Sequence, residues 1–299
     1  MSTSASATET TKLQSAFDMR NRTCPICDVA PDKVLGLRGG VHHRYGLGVE
    51  TAIAQCARCS LVFPNPFPYA LAAGELYGDP EKYFAHADED AKVERFRHLA
   101  REAIRRSGKT SPRVLDVGSG RGELLRAFRA EGVEAVGLEL SDAMIEHVRK
   151  KHGLTVRQNT LEDFADSTEE TFDVVIMAAI IEHVYDPGTF MAAARKLTRP
   201  GSLVYIDAPC EPSLMTMVGN RVNRLLGKPA VFNLAPTFPP YHVFGFNPKS
   251  LRLLLDKHDF EVIDLKVWAD PRIPASGGFL DHLKAKVATQ INRVANLVN

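Results

Sequence analysis

A chain of 299 residues, 44% of them apolar, has the material for one large domain and a small second one. Thirty-seven Lys and Arg against 36 Asp and Glu leave a net charge of +1, so no global field recruits nucleic acid. The longest apolar run, VVIMAAII, is far shorter than a membrane span.

Residues 1–20 are rich in Ser, Thr and Ala and lack the apolar stretch of a signal peptide, which predicts a disordered tail on a cytoplasmic protein. Residues 21–68 carry Cys24-Pro-Ile-Cys27 and Cys56-Ala-Arg-Cys59. Each C-x-x-C turn can aim two thiolates at one ion, and two such turns close a tetrahedral shell. Structural zinc is the favoured reading; a rubredoxin-like iron site or a dithiol redox pair would use the same residues. The intervening LGLRGGVHHRYGLGVETAIAQ is predicted to form a β-hairpin, with His42 and His43 as surface residues. Cys210 has no sequence partner and reads as a half-buried thiol. Prolines at 64, 66 and 68 predict an extended exit from this module.

Residues 69–111 are expected to be a helical linker. Over 88–107, Val93, Phe96, Ala100, Ala103 and Ile104 share one helical face. The opposite face holds Lys92, Arg95, Arg97, Arg101, Arg105 and Arg106, either a solvated surface or an attractor for an anionic partner.

Arg113–Leu125, RVLDVGSGRGELL, reads as strand, glycine turn and helix. The glycines follow G-x-G-x-G rather than the dinucleotide pattern G-x-G-x-x-G, whose third position is here Glu123. Asp116 at the strand end would repel a pyrophosphate and hold an amino group instead. Glu139 ends the next apolar run, AVGLEL, where a carboxylate suits ribose hydroxyls. A nucleoside bearing an amino acid group, S-adenosylmethionine, satisfies both.

The stretch from Val114 to Pro209 resembles a class I S-adenosylmethionine-dependent methyltransferase through LDVGSGRG, GLELS, FDVVIMAAIIEHVYDP and RPGSLVYIDAP. The resemblance implies an α/β, Rossmann-like fold: a mostly parallel seven-stranded sheet flanked by helices over residues 112–270, here with a small N-terminal zinc ribbon. It implies cofactor contacts from Asp116, Gly118, Ser119, Gly120, Glu139, Leu140, Asn159, Thr160, Met177 and Ala178. Asp163 is a second candidate beside Asn159, or a helix cap. Ser202 stands where the family usually has a second glycine.

The Cys module resembles that of a methyltransferase subgroup from sugar, polysaccharide and natural-product pathways. There the segment matching LYGDPEKYF, with Tyr83, lies over the cofactor pocket, which makes 69–111 a cap. Residues 209–247 are expected to be an inserted acceptor lid. Glu182-His183 matches the E-H pair of small-molecule members, and His242 falls where relatives carry a histidine near substrate. His242 and His183 are therefore the candidate bases. The N-P-P-Y type of amine-methylating signature is absent, which disfavours DNA.

A helix is expected over PKSLRLLLDKHD and a strand over FEVIDLKVW; no convincing final antiparallel strand follows Asp270. Residues 271–299 are expected to hold an amphipathic helix that packs on its own domain, on a dimer mate or, through Lys284, Lys286 and Arg293, on a membrane surface. The expected acceptor is a small molecule or glycan, through a hydroxyl. The alternatives are an RNA methyltransferase that grips its substrate with the zinc module, and a non-catalytic S-adenosylmethionine-binding scaffold.

Overall fold

The computed structural model describes residues 16–71, 89–269, 286, 289 and 290. Tyr83, the first 15 residues and nearly all of the C-terminal helix expected over 271–299 lie outside the described residues. The chain divides into two compact units: Met1–Tyr69 with Pro209–Asp256 and Glu261–Asn299, and Ala70–Ala208 with Lys257–Phe260.

The first unit begins with strands β1 (Phe17–Arg20), β2 (Lys33–Arg38), β3 (Thr51–Gln55), β4 (Val62–Pro64) and β5 (Phe67–Ala70). β2 and β3 form the antiparallel hairpin expected from the sequence, from Lys33 opposite Gln55 to Arg38 opposite Thr51, and β4 pairs on the far side of β3. Leu35, Ile53 and Val62 anchor this sheet to a small apolar core. Neither hairpin histidine behaves as a bare surface residue. His42 Nε2 lies 3.0 Å from Glu50, and His43 Nδ1 accepts the Tyr45 and Leu47 amides.

The second unit alternates helix and strand: α1 (Glu89–Ser107), β6 (Val114–Val117), α2 (Glu123–Ala130), β7 (Ala135–Leu138), α3 (Asp142–His152), β8 (Val156–Arg157), α4 (Leu161–Ser167), β9 (Phe172–Ala178), α5 (Pro187–Lys196) and β10 (Thr198–Asp207). The sheet order is β10-β9-β6-β7-β8, and every pairing is parallel. Among the described residues the sheet has five strands, not seven. The short central strand VLDV is buried at all four positions, aspartate included, as a parallel strand inside an α/β sheet is.

Val93, Ala100 and Ala103 of α1 enter the core, with Phe96 and Ile104 against it, as their spacing predicts. The cationic face of α1 is largely matched within the chain: Arg97 and Arg101 fork the two Glu131 oxygens at 2.8 and 2.9 Å, and Arg105 and Arg106 share Glu102. That is a solvated, salt-bridged face. Ser141 caps α3, and Asp186 with Pro187 starts α5. At α4 the capping oxygen is Thr160 Oγ1, which accepts the Asp163 amide at 3.0 Å, so Asp163 is not the cap. Ser202 replaces glycine without loss of the turn, because its hydroxyl accepts the Arg199 amide and donates to the Phe172 carbonyl.

Pro209–Asp256 is grouped with the cysteine-bearing unit rather than with the parallel sheet. The reason is backbone hydrogen bonding. β2 and β4 leave edges open, and this segment completes them: Leu37 exchanges bonds with Pro229 and Val231, and Val62 with Gly245. It carries α6 (Leu214–Leu225) and α7 (Pro248–Asp256). The strand expected over FEVIDLKVW is irregular backbone. Ile263 and Trp268 are 65% and 67% exposed, and no neighbouring strand among the described residues pairs with this stretch. No helix among the described residues is long and apolar enough to cross a membrane.

Candidate functional site

Two sites emerge, one in each unit. In the first, Cys24, Cys27, Cys56 and Cys59 are buried with their sulfurs within 4.8 Å of one another. The two knuckles repeat one backbone device. The Cys24 amide donates to Val29 O and the Asp28 amide to Cys24 O; the Cys56 amide donates to Leu61 O and the Ser60 amide to Cys56 O. Asp28 and Ser60 both take positive φ, 54° and 64°. The Cys24 and Cys59 sulfurs stand 3.6 Å apart, close to the ~3.8 Å edge of a tetrahedron with ~2.3 Å zinc–sulfur bonds. The Cys59 thiol draws Cys24 down to about 5. Four thiols in this arrangement fit one tetrahedral ion and leave no open position, so the set fits structural rather than catalytic zinc.

In the second unit, the strand order reverses between β6 and β9, which opens a crevice at the carboxyl ends of the strands. The residues expected to hold the cofactor lie at those ends: Gly118, Ser119 and Gly120 after β6, Glu139 and Leu140 after β7, Asn159 and Thr160 after β8, and Met177 and Ala178 closing β9. The turn after β6 is pinned by the Gly118 and Ser119 amides, both donating to Leu138 O. Gly118 has φ 74°, and a Cβ there would stand 2.9 Å from Ile180 Cδ1. Glycine is thus required twice over, by conformation and by space.

Glu139 organises the crevice. Its Oε2 accepts the Gly120 amide at 2.9 Å, and its Oε1 accepts the Leu140 and Ser141 amides at 2.8 and 2.9 Å. Leu140 beside it is 53% exposed, an apolar residue open at a strand end. Asp116 is only 3% exposed and its carboxylate accepts no hydrogen bond among the described residues. Burial first, then the neighbouring Glu123, pushes it up to about 7, against the pull of Lys92. Glu123 itself is matched by Arg121 at 2.9 Å and Lys92 at 3.5 Å. Ser119 Oγ is also buried without a hydrogen-bond partner. A buried hydroxyl with no partner among the described residues and a buried carboxylate that accepts no hydrogen bond there, beside a carboxylate fixed by three amides, fit a ligand that brings an ammonium and hydroxyls; S-adenosylmethionine is such a ligand.

Some expected contacts are already committed elsewhere. Met177 is fully buried in register with Ile206, and Thr160 spends its hydroxyl on capping α4. Asn159 is half-buried at the turn. Beyond β9, Ala179 takes φ 56° and a turn brings the His183 amide to Ile180 O at 3.0 Å. Glu182 is 1% exposed, 3.9 Å from His183 Nε2, and burial raises it to about 8. His242 lies in the other unit, where burial pushes it down to about 4 and holds it neutral at physiological pH. Sequence reasoning missed Ile180 and the Lys92–Glu123–Arg121 cluster. Glu123 was visible as the residue in a glycine's place; nothing in the sequence pairs it with Lys92.

This architecture, a parallel sheet with a carboxylate ending its second strand and a G-x-G-x-G turn at its switch point, is that of the Rossmann-like class I methyltransferases. The methyltransferase-domain family matches residues 88–265, more than half of the chain, and the chain belongs to that family. It is 37% identical over 116 residues to a ubiquinone biosynthesis O-methyltransferase of Methylococcus capsulatus, covering 36% of this chain and 48% of that protein. It is 29% identical over 156 residues to the same-named protein of Vibrio cholerae, covering 50% and 61%. The chain thus spans about half the length of these curated relatives. A solved S-adenosylmethionine-dependent methyltransferase from Archaeoglobus fulgidus is similar over 72% of this chain and 91% of that one, at 21% identity and a TM-score of 0.49.

Proposed function

We propose that this protein is an S-adenosylmethionine-dependent O-methyltransferase whose acceptor is a hydroxyl on a sugar or natural-product intermediate. The observation that carries the reading is the pair of carboxylates on adjacent strand ends, Asp116 without a donor and Glu139 held by three amides. The similarity to O-methyltransferases supports oxygen as the acceptor atom.

When bound, the donor supplies a methyl group on a positively charged sulfur, already activated toward displacement. The residues must bind, align and exclude water. Asp116 pairs with the amino acid ammonium, and Glu139 accepts from ribose hydroxyls. The fully buried Met177 and Ile181 keep water from the floor of the crevice. A hydroxyl acceptor must also lose its proton. His242, neutral at physiological pH, offers a lone pair to that hydroxyl, and His183 beside the buried Glu182 is the second candidate base.

Calorimetric titration of the zinc-loaded protein with S-adenosylmethionine tests the reading. Micromolar-range binding is expected, lost in Asp116→Ala and Glu139→Ala. No binding to a well-folded protein would sink it. Turnover of His242→Gln and His183→Gln, compared at saturating donor, identifies the base.

A further inference from the structure

The cysteine-bearing unit contains a pocket of about 280 Å³ whose lining includes Arg38, Glu211, Phe232, Phe238, Phe244 and His242. Cavities of about 150 Å³ admit benzene, so this one has room for a ring with a small substituent. Rings form much of its wall, with Pro239 and Pro240 beside the phenylalanines, and Arg38, Glu211 and His242 supply the polar part.

The pocket holds one cation, Arg38, and one carboxylate, Glu211, and the two are engaged differently. Arg38 Nε donates to Leu234 O at 3.0 Å, and its guanidinium lies 4.9 Å from the Phe238 ring centroid. Among the described residues the Nη hydrogens meet no acceptor and no carboxylate lies within 4.0 Å of them. Burial opposes the Arg38 charge, and Glu211 offsets this only through space. Glu211 is directed elsewhere: its Oε2 accepts Asn233 Nδ2 at 2.6 Å and Thr216 Oγ1 at 3.1 Å. The pocket therefore presents an oriented, half-buried guanidinium edge with donors to spare, walled by aromatic rings.

We propose that this pocket binds an organic carboxylate carried on a flat ring, Arg38 engaging the carboxylate and the phenylalanine and proline walls enclosing the ring. Guanidinium and carboxylate match edge to edge through two parallel N–H···O bonds. A phosphate would bring a second negative charge beside the buried Glu211. A sugar acid would bring a puckered ring studded with hydroxyls, rather than a flat apolar face, against Phe232, Phe238 and Phe244.

The test is ligand-observed NMR titration of the full-length, zinc-loaded protein, without methyl donor, using benzoate, benzyl alcohol, phenyl phosphate and glucuronate as probes. Benzoate is expected to bind at least tenfold more tightly than the other three. Arg38→Gln should weaken benzoate about tenfold or more, while leaving the weak binding of benzyl alcohol unchanged. Arg38→Lys, which keeps the charge without the planar fork, should fall between. Ala235→Leu fills the pocket while retaining Arg38 itself and should abolish binding, which keeps the test decisive if the Arg38 variants fail to fold. Phenyl phosphate or glucuronate binding as tightly as benzoate would overturn the proposal. So would benzoate affinity indifferent to Arg38→Gln and Ala235→Leu, or no benzoate binding to folded protein. Donor binding, measured separately through Glu139, fails or succeeds independently of these results.

Discussion

The cysteine cluster and the donor crevice both gather ionisable groups in buried surroundings, yet they are built in opposite ways. In the cluster, backbone amides and carbonyls bind one another around two repeated turns and leave four sulfurs facing each other. In the crevice, Glu139 is fixed by three amides, but among the described residues Asp116 accepts no hydrogen bond and the Ser119 hydroxyl has no partner. The first design closes on an ion that belongs to the fold. The second leaves polar groups for a ligand that comes and goes. The difference makes the cluster a determinant of stability and the crevice a determinant of binding.

The largest effect should come from the cluster. Cys56→Ser, or strong chelation of the full-length protein, removes an ion whose binding free energy is about 10–16 kcal/mol in small zinc domains. The β2–β3–β4 sheet should lose its hydrogen-exchange protection, and metal analysis should show about one equivalent of zinc before treatment. Retained protection after complete metal loss would contradict the comparison.

The next effect is on pH dependence in the crevice. Asp116 is raised in the folded state from 3.8 to about 7, and Glu182 from 4.5 to about 8. The folded state therefore holds protons that the unfolded state has released. Their contribution to the stability of the ligand-free parallel sheet should be full below about pH 4 and fall as pH rises, the Asp116 share amounting to about 4 kcal/mol by the time pH passes 7. Exchange of the β6 amides between pH 5.5 and 8 measures this, corrected for intrinsic rates. Asp116→Asn should flatten part of the slope and Glu182→Gln another part. Donor affinity should move the opposite way, rising toward pH 8, because the ionised Asp116 is the form that pairs with an ammonium.

Glu139→Ala should come third. It takes away the acceptor for three amides and the proposed ribose contact together, so donor affinity should fall about a hundredfold, near 3 kcal/mol. Glu139→Gln retains acceptor oxygen but loses the charge and should fall less. Calorimetry on both variants reads the difference. Equal affinity in wild type and Glu139→Ala would remove the carboxylate from the site.

What was legible in the sequence follows the same division. The thiol spacing, the G-x-G-x-G turn, and Asp116 and Glu139 are local signals: each depends on residues a few positions apart, at the end of a strand whose apolar run announces it. The grouping of Pro209–Asp256 with the cysteine unit was not legible, because it depends on the open edges of β2 and β4 pairing with chain more than 180 residues away. Arg38 was invisible for the same reason; its partners Leu234 and Phe238 are as distant in sequence. FEVIDLKVW shows the converse failure. Its apolar alternation suits a strand, but alternation specifies only a face, and no described strand offers that face a neighbour.

The smallest effect tests the division at a single hydroxyl. Resemblance places Thr160 among the cofactor residues, whereas the structure commits its Oγ1 to the Asp163 amide at the start of α4. A committed capping group should cost stability when removed and leave ligand affinity alone. Thr160→Ala is thus expected to destabilise the parallel-sheet unit by about 1 kcal/mol, with donor affinity within twofold of wild type. Thr160→Ser, which restores the oxygen, should recover the loss. If Thr160→Ala instead weakened the donor while stability held, the hydroxyl would leave its cap to serve the ligand. The crevice would then have to be counted as rearranging on binding rather than as waiting with its unpaired groups in place.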